Sequence, residues 1–243
     1  MHGPVFGEFL GTAVLVLFGD GVVANVLLNK SKGEHGGWMV IAAGWSMAVL
    51  CGILVSLGVG GVAQLNPAIT ITLAIISGSY VTILPYCAAQ LAGAFAGAVL
   101  VWLVYLPHWP QTPDPEIKLV IFCTRPAIRN LPCNALTEFL ATAIGLVLVG
   151  MAIGSKGLAA SGTPPGFAPF LWGAVVLAIG LSLGGPTGYA INPARDLGPR
   201  LAHQLLPIAC KRDSDWGYAW VPVLAPALGG VAGALLCKAF GVL

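Results

Sequence analysis

The chain has 243 residues, of which 57% are hydrophobic and only 8% charged, with a formal net charge of +2 and a mean hydropathy of +0.89. A soluble domain keeps about a quarter of its residues charged to hold its surface in water, so this composition excludes a wet globular surface and implies one that faces lipid. The near-neutral balance offers no basic footprint for a nucleic-acid partner.

Apolar runs long enough to cross about 30 Å of hydrocarbon fall at roughly 4–28, 38–59, 82–106, 134–154, 167–185 and 219–240. The first starts within three residues of Met1, has no basic flank and no cleavage site, and so reads as a span rather than a removed signal. It carries Glu8; the second carries Trp45. After the second, Gly61-Val62-Ala63-Gln64 leads into Asn66-Pro67-Ala68, which opens an apolar stretch, 66–77, too short to span. The third run places small residues at Gly93, Ala94, Gly97 and Ala98, a spacing that lets helices approach closely. The segment 107–132, with Pro107, Pro110, Pro113, Pro115 and Pro126, reads as a surface connection rather than a domain.

The second half then repeats the first. Glu8-Phe9-Leu10-Gly11-Thr12 returns as Glu138-Phe139-Leu140-Ala141-Thr142, 130 residues on, and Asn66-Pro67-Ala68 returns as Asn192-Pro193-Ala194, 126 residues on. The fifth run carries Gly180; Gly188-Tyr189-Ala190 precedes the second Asn-Pro-Ala, which opens another short stretch, 192–206. The sixth run repeats the small-residue spacing at Gly229, Gly230, Gly233 and Ala234. Each half therefore reads as span, span, half-helix, span. Three spans per half is an odd number, so the halves, about 1–110 and 131–243, enter the membrane from opposite sides and their half-helices meet near the midplane.

Asparagine is a strong N-cap and proline suits the first helical turn, so Asn66 and Asn192 are expected to cap their half-helices through the side-chain oxygen. That leaves each amide N–H₂ to face a passage as a donor, while the two helix N-termini add about half a positive charge each, a barrier to cations and protons. Arg195, inside an apolar bundle, is a functional candidate by default, or else a salt-bridged arginine with Asp196 beside it, although adjacent helical residues diverge by about 100°. Glu8 and Glu138 sit at equivalent depths, where an unpaired carboxylate is costly. Six cysteines show no CxxC or metal spacing; Cys51, Cys87 and Cys237 lie in apolar runs, and the three near loops, Cys123, Cys133 and Cys210, are odd in number and irregularly spaced, which argues against a disulfide framework.

Glu8, the doubled Asn-Pro-Ala, Glu138 and the run Gly188-Tyr189-Ala190-Ile191-Asn192-Pro193-Ala194-Arg195-Asp196 resemble the major intrinsic protein family, the aquaporins and glycerol facilitators, over essentially the whole chain. The resemblance implies an all-α membrane protein, six transmembrane helices plus two half-helices in an inverted repeat, forming a homotetramer in a plasma or bacterial inner membrane with both termini cytoplasmic. It implies a selectivity filter of Trp45, Gly180, Tyr189 and Arg195, and an acceptor ladder from the carbonyls of Val62, Ala63, Gln64, Gly188, Tyr189 and Ala190. Glu8 and Glu138 would hold the backbone of 59–65 and 184–191. Gly180, with Asp196 and Arg200 after the second motif, matches the aquaglyceroporin branch; either charge could instead sit at the filter rim. The spacing from Trp45 to Asn66 is one residue longer than the usual pattern. The function implied is passive conduction of glycerol and other small uncharged solutes, urea and small polyols among them, together with water and without ions or protons. The alternatives are a water-selective pore and a proton-coupled secondary transporter working through Glu8 or Glu138. No cofactor, metal site or catalytic set is expected.

Two features cut against the family pattern. Cytoplasmic ends in that topology would hold Lys156 and Lys238, with Lys30, Lys32, Lys118, Arg125, Arg129, Lys211 and Arg212 outside, the reverse of the positive-inside rule. Gln64 stands where the family has histidine; it keeps a donor and an acceptor but cannot titrate. Permeability is therefore expected to show no step near pH 6 from this position, and a step abolished by Gln64→Ala in vesicle flux assays contradicts that.

Overall fold

The computed structural model describes residues 3–242, and among them every regular element is helical. Five stretches have the length and apolarity of a membrane span: α1 (Pro4–Leu27), α2 (Trp38–Gly58), α4 (Ile83–Val104), the run Leu131–Ala160, and α11 (Trp220–Phe240). Between α2 and α4 lies the half-helix α3 (Pro67–Ser77), which stops at Gly78 in the left-handed conformation that glycine tolerates. The remaining span, fifth in chain order, is α9 (Ala168–Ser182), only 15 residues long, extended at its start by a 3₁₀ turn, Pro165–Phe167. At rises of ~1.5 and ~2 Å per residue the two together reach roughly 28 Å, close to the hydrocarbon thickness. The second half-helix is α10 (Pro193–Leu205). Six spans and two half-helices are thus in place, with the fifth span ending earlier than expected from composition.

The connection 107–132 is the main departure from expectation. It contains a helix, α5 (Pro115–Phe122), capped by Asp114, and its Leu119, Ile121, Phe122 and Cys123, with Trp109 just before it, are buried in the core. Composition marked this segment as polar and proline-rich; the apolar Ile117–Cys123 inside it is what folds inward.

Small residues hold the spans together in the same way in both halves. A Cβ on Gly93 would meet the Phe9 carbonyl oxygen at 2.1 Å, and one on Gly97 the Ala13 oxygen at 2.4 Å. In the second half the partners are Gly229 against the Phe139 oxygen, 2.8 Å, and Gly233 against the Ala143 oxygen, 2.8 Å. α4 lies against α1, and α11 against the fourth span. Each half-helix also packs on the third span of the opposite half: α3 on α11 and α10 on α4. Thr72 ties the first of these contacts by donating to the Gly230 carbonyl at 3.0 Å. Large apolar side chains such as Met39, Leu84, Val104, Leu228 and Phe240 point outward, as a lipid-facing surface requires.

The fourth span differs from the first. It begins as α6 (Leu131–Leu140), widens into a π-helical segment, Ala141–Leu148, and resumes as α7 (Val149–Ala152), followed by the short α8 (Lys156–Ala160). The wider turn carries one more residue than the α-helix opposite, a feature that recurs at functional sites. Counted from the paired glutamates, Leu15 lies seven residues after Glu8, whereas its spatial counterpart Leu146 lies eight after Glu138.

Gly93→Val should therefore force the α1–α4 seam apart, costing about 1–3 kcal/mol or more from overpacking. The expected readout is a melting temperature lowered by several degrees in detergent; an unchanged transition would mean the seam is not close-packed.

Candidate functional site

The site is built where the two half-helices meet. Asn66 takes extended backbone angles and its Oδ1 accepts from the Ala68 N–H at 2.8 Å; Asn192 does the same for Ala194 at 3.0 Å and Arg195 at 3.3 Å. Each amide nitrogen then crosses to the other half. Asn66 Nδ2 donates to the Ile191 carbonyl at 2.9 Å, and Asn192 Nδ2 to the Leu65 carbonyl at 2.9 Å. The expectation that both amide hydrogens stay free is therefore corrected: one N–H of each asparagine clasps the other motif, and one remains.

The segments before each motif alternate in handedness. Ala63 and Leu65 have φ of 55° and 54°, Tyr189 and Ile191 of 37° and 43°, left-handed values that are unusual away from glycine and that mark a backbone held by its surroundings. The glutamates do the holding. Glu8 accepts from the Gln64 and Leu65 N–H groups at 2.8 and 2.6 Å and from Gln90 Nε2 at 2.7 Å. Glu138 accepts from the Ala190 and Ile191 N–H groups, both at 2.9 Å, and from Thr187 Oγ1 at 2.6 Å. While the N–H groups of Gln64, Leu65, Ala190 and Ile191 go to the carboxylates, the carbonyls of Val62, Ala63, Gln64, Gly188, Tyr189 and Ala190 receive no hydrogen bond from the described residues.

A narrow central cavity of about 70 Å³ runs past both asparagines. Its lining combines polar side chains, Gln64, Asn66, Asn192 and Arg195, with apolar ones, Leu15, Val49, Ile53, Leu146, Trp172 and Val176. It shares Trp45, Tyr189 and Arg195 with a wider cavity of about 460 Å³, and Ala63, Gln64, Ile69 and Trp172 with one of about 500 Å³. The narrow cavity thus adjoins two wider ones.

Arg195 lines both the narrow cavity and the first of the wider ones. Its guanidinium lies over the Trp45 ring, 4.1 Å from the centroid, a cation–π contact. Tyr189 stands nearby, its ring edge-on to Trp38 at 5.7 Å. Gly180 contributes space and a carbonyl: it accepts from Trp38 Nε1 at 2.9 Å, and a Cβ there would come within 3.0 Å of Tyr189 Cζ. The room made by Gly180 is thus filled by the Tyr189 ring rather than left open.

Asp196 does not pair with Arg195, and neither Asp196 nor Arg200 lies on a rim. Both are fully buried and paired with each other, Arg200 Nε to Asp196 Oδ2 at 2.8 Å. Asp196 also accepts from the Thr124 N–H and hydroxyl, and Arg200 donates to the carbonyls of Ser214, Asp215 and Thr124. The pair fastens the connection after α5, and the loop before α11, to the second half-helix.

The cations expected outside are mostly spent on structure. Arg125 and Arg212 both pair with Glu116, and Arg129 pairs with Asp215 through two bonds, 2.7 and 3.0 Å. These hydrogen bonds hold the Arg129 and Arg212 guanidiniums further toward the charged form. Lys118 donates to the Ala209 carbonyl, and Lys211 closes the end of α10 on three carbonyls. The six cysteines are free thiols.

Several residues at the site escaped sequence reasoning: Trp38, Trp172, Leu15 and Leu146 look like ordinary span residues. Asp20 carried a signal, since it is an ionisable group inside a span. It is buried in α1, 3.6 Å from Arg195 Nη1.

The model of the family described as "Major intrinsic protein" matches residues 2–237. The chain belongs to the major intrinsic protein family. It is 53% identical over 230 residues to a "Probable glycerol uptake facilitator protein" of Thermotoga maritima, covering 94% of this chain and 95% of that one. It is 46% identical over 241 residues to the glycerol uptake facilitator protein of Streptococcus pneumoniae, covering 99% and 100%. Among solved structures it is similar to the aquaglyceroporin from Plasmodium falciparum, with a TM-score of 0.81, 32% identity, and coverage of 96% and 94%. As a member of this family the chain is an integral membrane channel protein.

Replacing Glu138 by glutamine leaves the shape but turns an N–H₂ or a weaker acceptor toward two buried N–H donors. The expected cost is about 1–3 kcal/mol for each donor left unsatisfied, read as a lower melting temperature and reduced solute flux per incorporated channel; flux at the native level would show that the segment 187–191 holds its shape unaided.

Proposed function

We propose that this protein is a passive channel for glycerol and similar small uncharged polyols, with water, and that it carries out no catalysis. The observation that carries the reading is the mixed polar and apolar lining of the constriction. Arg195 and the remaining amide hydrogens of Asn66 and Asn192 supply donors, and the unpaired carbonyls supply acceptors. Leu15, Val49, Ile53, Leu146 and Val176 supply apolar lining, with the Trp45 and Tyr189 rings beside Arg195. A linear polyol has the same division, hydroxyls along one edge and C–H groups along the other, so it can exchange its water shell for the wall without leaving polar groups unpaired. The similarity to glycerol uptake facilitators supports the same choice over a water-selective pore.

Ions gain nothing comparable. The two half-helix N-termini and Arg195 repel cations in a medium of low dielectric, and the six carbonyls are too widely spread along the path to replace a hydration shell. A water or hydroxyl oxygen held by both asparagine amides has fewer lone pairs for its neighbours, which interrupts a proton chain. A proton-coupled transporter would need a relay, and Glu8 and Glu138 are instead committed to backbone N–H groups. We further infer a homotetramer in a bacterial inner membrane with both termini cytoplasmic. The positive-inside count speaks against that orientation less strongly once Lys118, Arg125, Arg129, Lys211 and Arg212 are seen to be committed to structural contacts.

Stopped-flow light scattering on proteoliposomes tests the reading: osmotic water flow and glycerol re-swelling should both exceed those of empty vesicles and neither should saturate with solute. Glycerol flux at the empty-vesicle level would overturn it. Gly180→His should push the Tyr189 ring into the constriction and reduce glycerol flux roughly tenfold or more while water loses much less, since one missing contact or misplaced wall costs a larger solute more; equal losses would show that the narrowest point lies elsewhere.

A further inference from the structure

Arg195 and Asp20 each break the internal repeat by charge. Shifting Arg195 back by the 126 residues that separate Asn66 from Asn192 lands on Ile69; shifting Asp20 forward by the 130 that separate Glu8 from Glu138 lands on Gly150. Neither charge has a charged counterpart, yet the fold brings them together, Arg195 Nη1 to Asp20 Oδ1 at 3.6 Å. Asp20 is completely buried within a membrane span. Neither of its carboxylate oxygens, nor Arg195 Nη1, has a hydrogen-bond partner among the described residues. A carboxylate in that setting is costly unless a cation answers it.

We propose that Asp20 is the counter-ion that positions the Arg195 guanidinium in the constriction, and so sets how sharply the passage distinguishes a polyol from water. The proposal rests on the polyol-channel reading above. At 3.6 Å the contact is an ion pair rather than a hydrogen bond, so Asp20 fixes the guanidinium by charge without capturing an N–H. Two restraints then act together: the cation lies on the Trp45 face and its Nη1 edge is drawn toward α1. The other guanidinium N–H groups make no hydrogen bond to the described residues and are the ones left for a passing hydroxyl. Glycerol needs those donors at a set distance from the apolar lining, because it must satisfy successive hydroxyls while its carbon chain lies on that lining; water needs only one donor in any orientation. Asp20 also offsets the arginine charge in a low-dielectric site, which leaves more of the cation barrier to the half-helix N-termini.

The test is a cycle of Asp20→Asn, Arg195→Ala and the double variant in proteoliposomes, with flux divided by incorporated protein. Asp20→Asn should lower the ratio of glycerol to water permeability roughly threefold or more, and the same change in the Arg195→Ala background should move the ratio by less than about 1.5-fold, the non-additivity expected of two groups acting as one. An unchanged ratio in Asp20→Asn, or an equal shift with and without the arginine, overturns the proposal. Thermal melting in detergent decides the pairing even where flux cannot be read. Arg195→Ala orphans a buried carboxylate and should melt below the native protein, and adding Asp20→Asn should raise it again; a double variant melting at or below Arg195→Ala overturns the pairing. A native channel that fails to conduct glycerol removes the polyol reading, while the melting cycle still reports on Asp20 and Arg195.

Discussion

Two reciprocal hydrogen bonds, Asn66 to the Ile191 carbonyl and Asn192 to the Leu65 carbonyl, join the halves of this molecule at its centre, and most of the surrounding architecture exists to make them possible. A helix that begins inside a membrane exposes its first N–H groups where no water can satisfy them. Each asparagine solves that for its own helix through Oδ1 and uses Nδ2 to satisfy a carbonyl of the other. The caps and the clasp are thus one device, and neither half-helix could be completed without its twin. The cross-packing of α3 on α11 and α10 on α4 brings the two ends into register from the outside.

Non-helical backbone at this depth is tolerated only where it is held by protein or lines a cavity. Both conditions operate here, one for each side of the chain. The N–H groups just before each motif are turned to a glutamate on the neighbouring span, and the carbonyls beside them receive no hydrogen bond from the described residues. The alternating left-handed residues, Ala63 and Leu65 in one half and Tyr189 and Ile191 in the other, are the conformational consequence: the chain must rotate between successive residues to keep donors and acceptors on opposite sides. Strain of this kind persists because burial of Glu8 and Glu138 would be costlier without it.

Symmetry supplies the passage, and departures from symmetry give it character. The Asp196–Arg200 pair locks the connection after α5 to the second half-helix only, which places Thr124 and Arg125 in the wider cavity on the Arg195 side. The π-helical turn adds a residue to the fourth span alone and turns Leu146, rather than Gly145, toward the cavity; Gly145 instead faces Ile179. The one buried arginine at the constriction is answered from the first half by Asp20.

Much of this was legible in the residues themselves. Span positions follow from hydrocarbon thickness, the half-helices from Asn-Pro chemistry, and the repeat from offsets that any reader can count, because each depends on local pattern. For Glu8 and Glu138 the residues said only that a carboxylate in a span is costly unpaired; their backbone partners came from the family resemblance. What local pattern could not supply is everything that depends on two distant stretches meeting. The surface-like segment 107–132 conceals an apolar helix whose burial depends on α1 and α10; Gly180 makes room that only the Tyr189 ring explains; the asparagine amides lose one hydrogen each to a partner about half the chain away. Asp20 and Arg195 are 175 positions apart, and no periodicity links them. The sequence by itself determined a membrane channel of two inverted halves with its polar groups at the half-helix ends, because helix capping and hydrophobic length are local requirements. The tertiary structure alone decided which charge answers Arg195 and which side chains line the narrow cavity, because those depend on side chains from six different helical segments converging on one place.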